Sequence, residues 1–226
     1  MPTSRLRSRP SSSRSRRWWL AAALAVAGAT VHAAPAAVSA DGRFRVRADA
    51  DVLAVQVDGT VARRHPLRSL DRREQGAPVA ALFDPGRRSF IIAFDTMAEL
   101  WELPTDPAAP PIFDGYVHDY PMGEAIAAPG YLGVRRTRLP ALVDALAAAP
   151  GGYVLARQAD SATAGTVLLH LVQLDVRRAI ARFACNGQPQ LDRASTAVVD
   201  GRTLLHVPDA HGGPGWTVDL AAARLR

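Results

Sequence analysis

The chain has 226 residues, with 27 basic side chains against 21 acidic ones, six histidines and one cysteine. Six arginines fall within residues 1–33, which carry no acid, so residues 34–226 hold 21 bases and 21 acids and have no formal net charge. That balance excludes nucleic acid or an anionic membrane recognised through bulk charge, and the lone Cys185 excludes an intramolecular disulfide.

Residues 1–33 have the organisation of a cleavable signal peptide. Arg5, Arg7, Arg9, Arg14, Arg16 and Arg17 form a basic start, Trp18 to Ala29 is apolar, and Val31-His32-Ala33 supplies a small-x-small cleavage site. The apolar run is shorter than the ~20 residues a membrane span needs. Ser15-Arg16-Arg17-Trp18-Trp19-Leu20 also fits the twin-arginine form, so either that route or ordinary secretion serves export. With no cysteine at the cleavage site to carry lipid, the expectation is a periplasmic protein with no stable membrane anchor after cleavage.

Residues 34–226 are the length of one domain. Short apolar runs bounded by Gly, Pro, Asp or Asn follow one another: Phe44–Arg47, Val52–Val57, Ser89–Phe94, Leu100–Leu103, Tyr153–Ala156, Thr166–Leu174, Ala179–Phe183, Thr203–Val207 and Trp216–Leu220. These are strand signals. Only Leu139–Ala149, rich in alanine, suggests a helix.

A repeat runs through the strands. Asp41-Gly42, Pro85-Gly86, Pro150-Gly151 and Asp200-Gly201 each open a tight turn followed by an apolar strand, a polar break, a second strand and often a basic outer strand. Steps of about 46, 63 and 51 residues carry Phe44 to Phe90, Tyr153 and Leu204. Repeats of ~40–50 residues with four short strands describe propeller blades better than a β-sandwich with recurrent turns. The expected fold is therefore all-β and β-propeller-like, with about four four-stranded blades. It either closes alone or forms half of an eight-bladed propeller, with an irregular insertion at about 105–140 between the second and third blades.

The insertion carries the most distinctive residues. Phe113-Asp114-Gly115-Tyr116-Val117-His118-Asp119-Tyr120 is followed by Met122-Gly123-Glu124-Ala125, then by Gly130-Tyr131-Leu132-Gly133-Val134-Arg135-Arg136-Thr137. Together with Glu99-Leu100-Trp101-Glu102 upstream, this stretch resembles the propellers related to the haem d1 domain of cytochrome cd1 nitrite reductase. The resemblance is strongest to the periplasmic branch implicated in haem d1 maturation. It covers about half of residues 34–226. At Gln188-Pro189-Gln190-Leu191 the chain departs from the pattern, because relatives carry a pocket histidine where Gln190 stands.

The resemblance implies a non-covalent tetrapyrrole ligand, haem d1 or a precursor. It also implies a role as maturation accessory or carrier in nitrite reduction and denitrification; an enzyme acting on the tetrapyrrole side chains is a further alternative, for which His118 is the one good acid–base candidate. His118 is the implied iron ligand or proton-transfer residue, with Asp119 and Tyr120 beside it. Arg135 and Arg136 are the implied anchors for the ligand's carboxylates, since guanidinium binds such groups bidentately. Weaker candidates are Glu124, in the insertion, and the scattered His65, His170, His206 and His211, which lack metal-ligand spacing and are expected to be structural. Trp101 is expected to pack between blades and Cys185 to be a small buried hydrophobe. No CxxCH is present, so no covalent haem c is expected. The other reading is a non-catalytic propeller fragment that serves as a scaffold, with a periplasmic protein or a second propeller half as its partner.

Overall fold

The computed structural model describes residues 36–113, 127–159 and 165–226. The strands form four antiparallel four-stranded sheets, each a meander in chain order. Blade 1 contains β1 (Ala37–Val38), β2 (Phe44–Asp49), β3 (Val52–Val57) and β4 (Thr60–Pro66). Blade 2 contains β5 (Pro78–Asp84), β6 (Ser89–Phe94), β7 (Glu99–Pro104) and β8 (Arg135–Arg138). Blade 3 contains β9 (Val143–Ala149), β10 (Tyr153–Gln158), β11 (Thr166–Gln173) and β12 (Arg178–Asn186). Blade 4 contains β13 (Ser195–Val199), β14 (Arg202–Val207), β15 (Trp216–Asp219) and β16 (Arg224–Leu225). The only helical element among the described residues is a 3-10 turn, Leu191–Arg193.

The repeated turns fall between the first and second strands of every blade. Two hairpins show why Asp-Gly recurs. Asp58-Gly59 (φ +50° and +80°) joins β3 to β4, and Asp200-Gly201 (φ +51° and +73°) joins β13 to β14. Two positive φ angles in a two-residue loop match the twist of the flanking strands, and Asp and Gly tolerate that region best.

Three apolar cores hold the blades together. Phe44, Val46, Leu53 and Val55 of blade 1 meet Phe90, Ile92, Phe94, Trp101 and Leu103 of blade 2. On the opposite faces of β6 and β7, Ile91, Ala93 and Leu100 meet Val143, Val154, Ala156 and Val172 of blade 3. Leu155, Leu169, Leu171 and Phe183 then meet Leu205, Val207, Val218 and Leu220 of blade 4. Blade 2 is flanked on both sides, which is why every residue of β6 and β7 is buried. The first strands β1, β5 and β9 pack on one another across blades, so they face the centre and the fourth strands lie at the perimeter.

Two expectations are corrected. Leu139–Ala149 is no helix: Val143–Ala149 is β9, paired along its length with β10. Alanine prefers helix intrinsically, but packing against β5 and the core overrides that weak preference. The insertion also lies inside blade 2 rather than after it, because β7 ends at Pro104 and β8 pairs back onto it from Arg135. Its base is closed by the bridge between Ile112 and Ala128. Among the described residues no helix is long and apolar enough to cross a membrane.

Candidate functional site

Arg135 and Arg136 are neighbours in β8, and strand geometry sends successive side chains to opposite faces. The implied pair of ligand anchors is therefore split. Arg135 Nη1 lies 3.5 Å from Glu102 Oε2, while Glu102 Oε1 accepts a 2.8 Å hydrogen bond from Arg87 Nε. Arg87 Nη1 reaches Asp175 Oδ1 at 2.9 Å, in the turn between β11 and β12. Arg135 thus belongs to a brace between blades 2 and 3. Burial works against the Arg87 charge, but Glu102 and Asp175 outweigh it and raise its pKa above the ordinary guanidinium value.

Arg136 faces the other way, toward blade 1. Its Cζ lies 4.6 Å from the centroid of Trp101, a cation–π contact, and its Nε lies 3.8 Å from Glu99 Oε2. Glu99 is itself fixed: Oε2 accepts from the Trp101 indole Nε1 at 3.0 Å, and Oε1 accepts from the Leu70 backbone N–H at 3.0 Å. Trp101 is fully buried in the core between blades 1 and 2, as expected. The Arg136 guanidinium is held by a buried acid and a buried ring while a fifth of the side chain stays accessible.

That accessible part opens into a cleft of about 930 Å³ at the outer junction of blades 1 and 2. Arg63 and His65 of β4 line it from blade 1, and Arg68 and Arg72 from the connection to blade 2. Ala128, Gly133 and Val134 at the base of the insertion complete a wall, and Asp51 is the one acid in the lining. Arg63 donates to the Tyr131 carbonyl at 3.3 Å, and His65 Nε2 donates to the Leu132 carbonyl at 2.8 Å. Burial, reinforced by Arg63 and Arg136, pushes the His65 pKa down to about 4 although the Leu132 carbonyl opposes this. His65 is neutral at neutral pH. The cleft therefore presents four guanidiniums and suits a ligand carrying carboxylates or other anionic groups. Its volume lies in the range of small-molecule sites.

His118, Asp119, Tyr120 and Glu124 lie outside the described residues. Sequence reasoning missed Arg63, Arg68, Arg72 and the site role of His65. The signal available was the two-residue spacing of Arg63 and His65 in a strand, which puts both on one face.

A second cleft, of about 500 Å³, opens beside the central strands. Ala80 and Ala81 of β5 line it with Asp144 of β9, Arg157 of β10 and Gln190. Arg157 Nε donates to Asp144 Oδ1 at 2.7 Å, so the two charges offset each other there. Gln190 does stand at a pocket, with amide rather than imidazole chemistry. His170 is 2% exposed and bonded through Nε2 to Gln158 Oε1 at 3.0 Å; His206 Nδ1 lies 3.3 Å from Thr217 Oγ1. Cys185 is buried, and burial raises its thiol pKa to about 11. Among the described residues no three His, Cys, Asp or Glu side chains are grouped to hold a metal ion.

No protein-family model matches the chain, and no curated protein matches it. Solved structures do. Dihydro-heme d1 dehydrogenase NirN in complex with DHE superposes with a TM-score of 0.61 at 20% identity, over 84% of this chain and 36% of that one. The shared architecture is a β-propeller. Hydrazine synthase of Kuenenia stuttgartiensis (TM-score 0.47, 11% identity) and AztD of Citrobacter koseri (0.46, 13%) each cover 84% of this chain, and 52% and 44% of their own. The chain thus spans about a third to a half of the length of these structures.

Proposed function

We propose that this exported propeller binds a d1-type tetrapyrrole, haem d1 or a precursor, non-covalently as a maturation accessory or carrier in nitrite reduction. The carboxylates of such a ligand enter the cleft between blades 1 and 2. The observation that carries this reading is the fixing of Arg136 by Trp101 and Glu99 at the mouth of a four-arginine cleft. An arginine that has already lost its rotamer freedom binds a carboxylate with little further entropy cost. Arg63, Arg68 and Arg72 add further donors from blade 1 and its connection.

Iron chemistry falls to the insertion in this reading. Its base forms a wall of the cleft, and His118, Asp119 and Tyr120 belong to the same insertion. His118 would ligate iron or exchange a proton. The dehydrogenase NirN, a structural likeness in complex with DHE, supports the reading as an analogy of fold.

The test is a spectral titration of residues 34–226 with haem d1, its precursor and haem b, beside the Arg136→Met and His118→Ala variants. A saturable long-wavelength or Soret shift that weakens in Arg136→Met and changes its ligation signature in His118→Ala is expected. A folded protein that gives no shift with any of the three overturns the proposal. It would favour the scaffold reading, for which Gln190 in the central cleft already speaks.

A further inference from the structure

Charge in this propeller is sorted by strand position. The four perimeter strands β4, β8, β12 and β16 carry eight arginines and no aspartate or glutamate. The four central strands β1, β5, β9 and β13 carry no arginine and two acids, Asp84 and Asp144. Residues 34–226 have no net charge, so the basic perimeter does not reflect a basic protein.

Part of that charge serves the fold or the cleft described above: Arg63, Arg135 and Arg136 all have partners. Arg64, Arg138, Arg178 and Arg182 are different. All four are exposed, and no ion pair holds any of them among the described residues. Three converge on one feature. At the junction of β8 and β12, an open cleft of about 530 Å³ is lined by Arg138, Arg178 and Arg182 over a floor of Leu139, Ala179 and Ile180. No acid lines it, and Ile180, between two of the arginines in sequence, is 37% exposed. β12 is the last strand of its sheet, so the backbone edge beside the cleft is unpaired by the sheet.

We infer that this cleft docks an extended acidic segment of a protein partner, its carboxylates on Arg138, Arg178 and Arg182 and an apolar side chain on the Ile180 floor. Charge complementarity selects the acidic partner, and the apolar floor selects a peptide over a phosphodiester chain, which has no aliphatic side chain to place there. An extended segment can also run along the free edge of β12. The competing explanation is that the arginines only guard that edge against pairing with other copies.

Fluorescence polarisation decides between them. The full chain after signal removal is titrated with a fluorescein-labelled peptide of alternating glutamate and valine, beside an alternating lysine–valine control. Saturable binding of the acidic peptide alone is expected, weakened about tenfold in Arg178→Ser/Arg182→Ser and again in Arg138→Ser. Arg45→Ser/Arg47→Ser removes equal charge from β2 on blade 1 and is expected to leave binding within about twofold. Circular dichroism checks that each variant is folded. Equal loss in both double variants, binding of duplex DNA or anionic vesicles in place of the peptide, or aggregation of the β12 variant without peptide binding by the parent would each overturn the inference.

Discussion

The His65 imidazole donates from Nε2 to the Leu132 carbonyl at 2.8 Å, tying the outer strand of blade 1 to the base of the insertion in blade 2. The ring is largely desolvated, and its pKa falls from the ordinary 6.5 to about 4. In the unfolded chain this histidine protonates below pH 6.5, whereas in the folded chain it stays neutral until about pH 4. The unfolded state therefore binds the extra proton between those limits, and stability falls as pH drops through that window. At 1.36 kcal/mol per unit the loss is about 3 kcal/mol. Gln supplies an N–H donor without titrating, so His65→Gln is expected to flatten the slope between pH 6.5 and 4 in urea unfolding. An unchanged slope would place the acid sensitivity elsewhere.

Glu102 lies between Arg87 and Arg135 with only 4% of its side chain exposed. Replacing it with Gln leaves two mostly buried guanidiniums without their shared counter-charge. Removing one partner of such a buried cluster costs about 3–5 kcal/mol. The pair Arg88–Asp106, at 3.0 Å and with both partners solvated, is the comparison: Arg88→Ser is expected to cost less than about 1 kcal/mol. Parallel denaturant titrations give both numbers, and similar losses would mean the Arg87 brace is no more than a surface contact.

Most of the fold was legible in the sequence because the middle strands of each blade are apolar and their turns are conformationally demanding. Ser89–Phe94 emerged with its bounds unchanged, since both of its faces are buried. The first strands were harder. β9 reads VDALAAA and β13 reads STAVV, with neither strict alternation nor bulk: small side chains suit β9 where it packs on β5, and all five residues of β13 are exposed, so no buried face imposes a pattern on it. The candidate site was half legible. The sequence brings Arg135 and Arg136 into view but not the fact that β8 begins at Arg135, and that register alone decides which arginine meets the cleft. Arg63 and His65 join Arg136 only through the packing of β4 against a loop 67 residues later.

The split of Arg135 from Arg136 gives two different phenotypes from adjacent substitutions. Arg135→Met removes a charge from the inter-blade brace and is expected to lower stability, by about 2 kcal/mol, without changing tetrapyrrole affinity. Arg136→Met keeps an unbranched stem over Trp101 but leaves the buried Glu99 carboxylate with only the Trp101 and Leu70 donors, so its stability is also expected to fall, by about 2 kcal/mol. Its affinity for a carboxylate-bearing tetrapyrrole is expected to fall about tenfold. Thermal melts and spectral titrations of both variants separate the roles. Equal effects of the two substitutions on affinity would contradict the register.

The base of the insertion depends on Gly133. A Cβ placed there would collide with the Pro129 carbonyl oxygen and approach Ile112 Cδ1 to 2.9 Å. The first obstacle is backbone, inside the turn in which the Gly133 N–H donates to the Gly130 carbonyl at 3.0 Å. It cannot yield without moving the Leu132 carbonyl that His65 grips and the wall that faces Arg136. Gly133→Ala is therefore expected to cost about 1–3 kcal/mol and to weaken ligand binding as well. Gly59→Ala is the control. Nothing lies within 4 Å of its added Cβ, so only the positive φ of +80° opposes it, at a cost of about 1 kcal/mol with no effect on affinity. If both substitutions cost the same and neither alters binding, the base of the insertion does not shape the cleft.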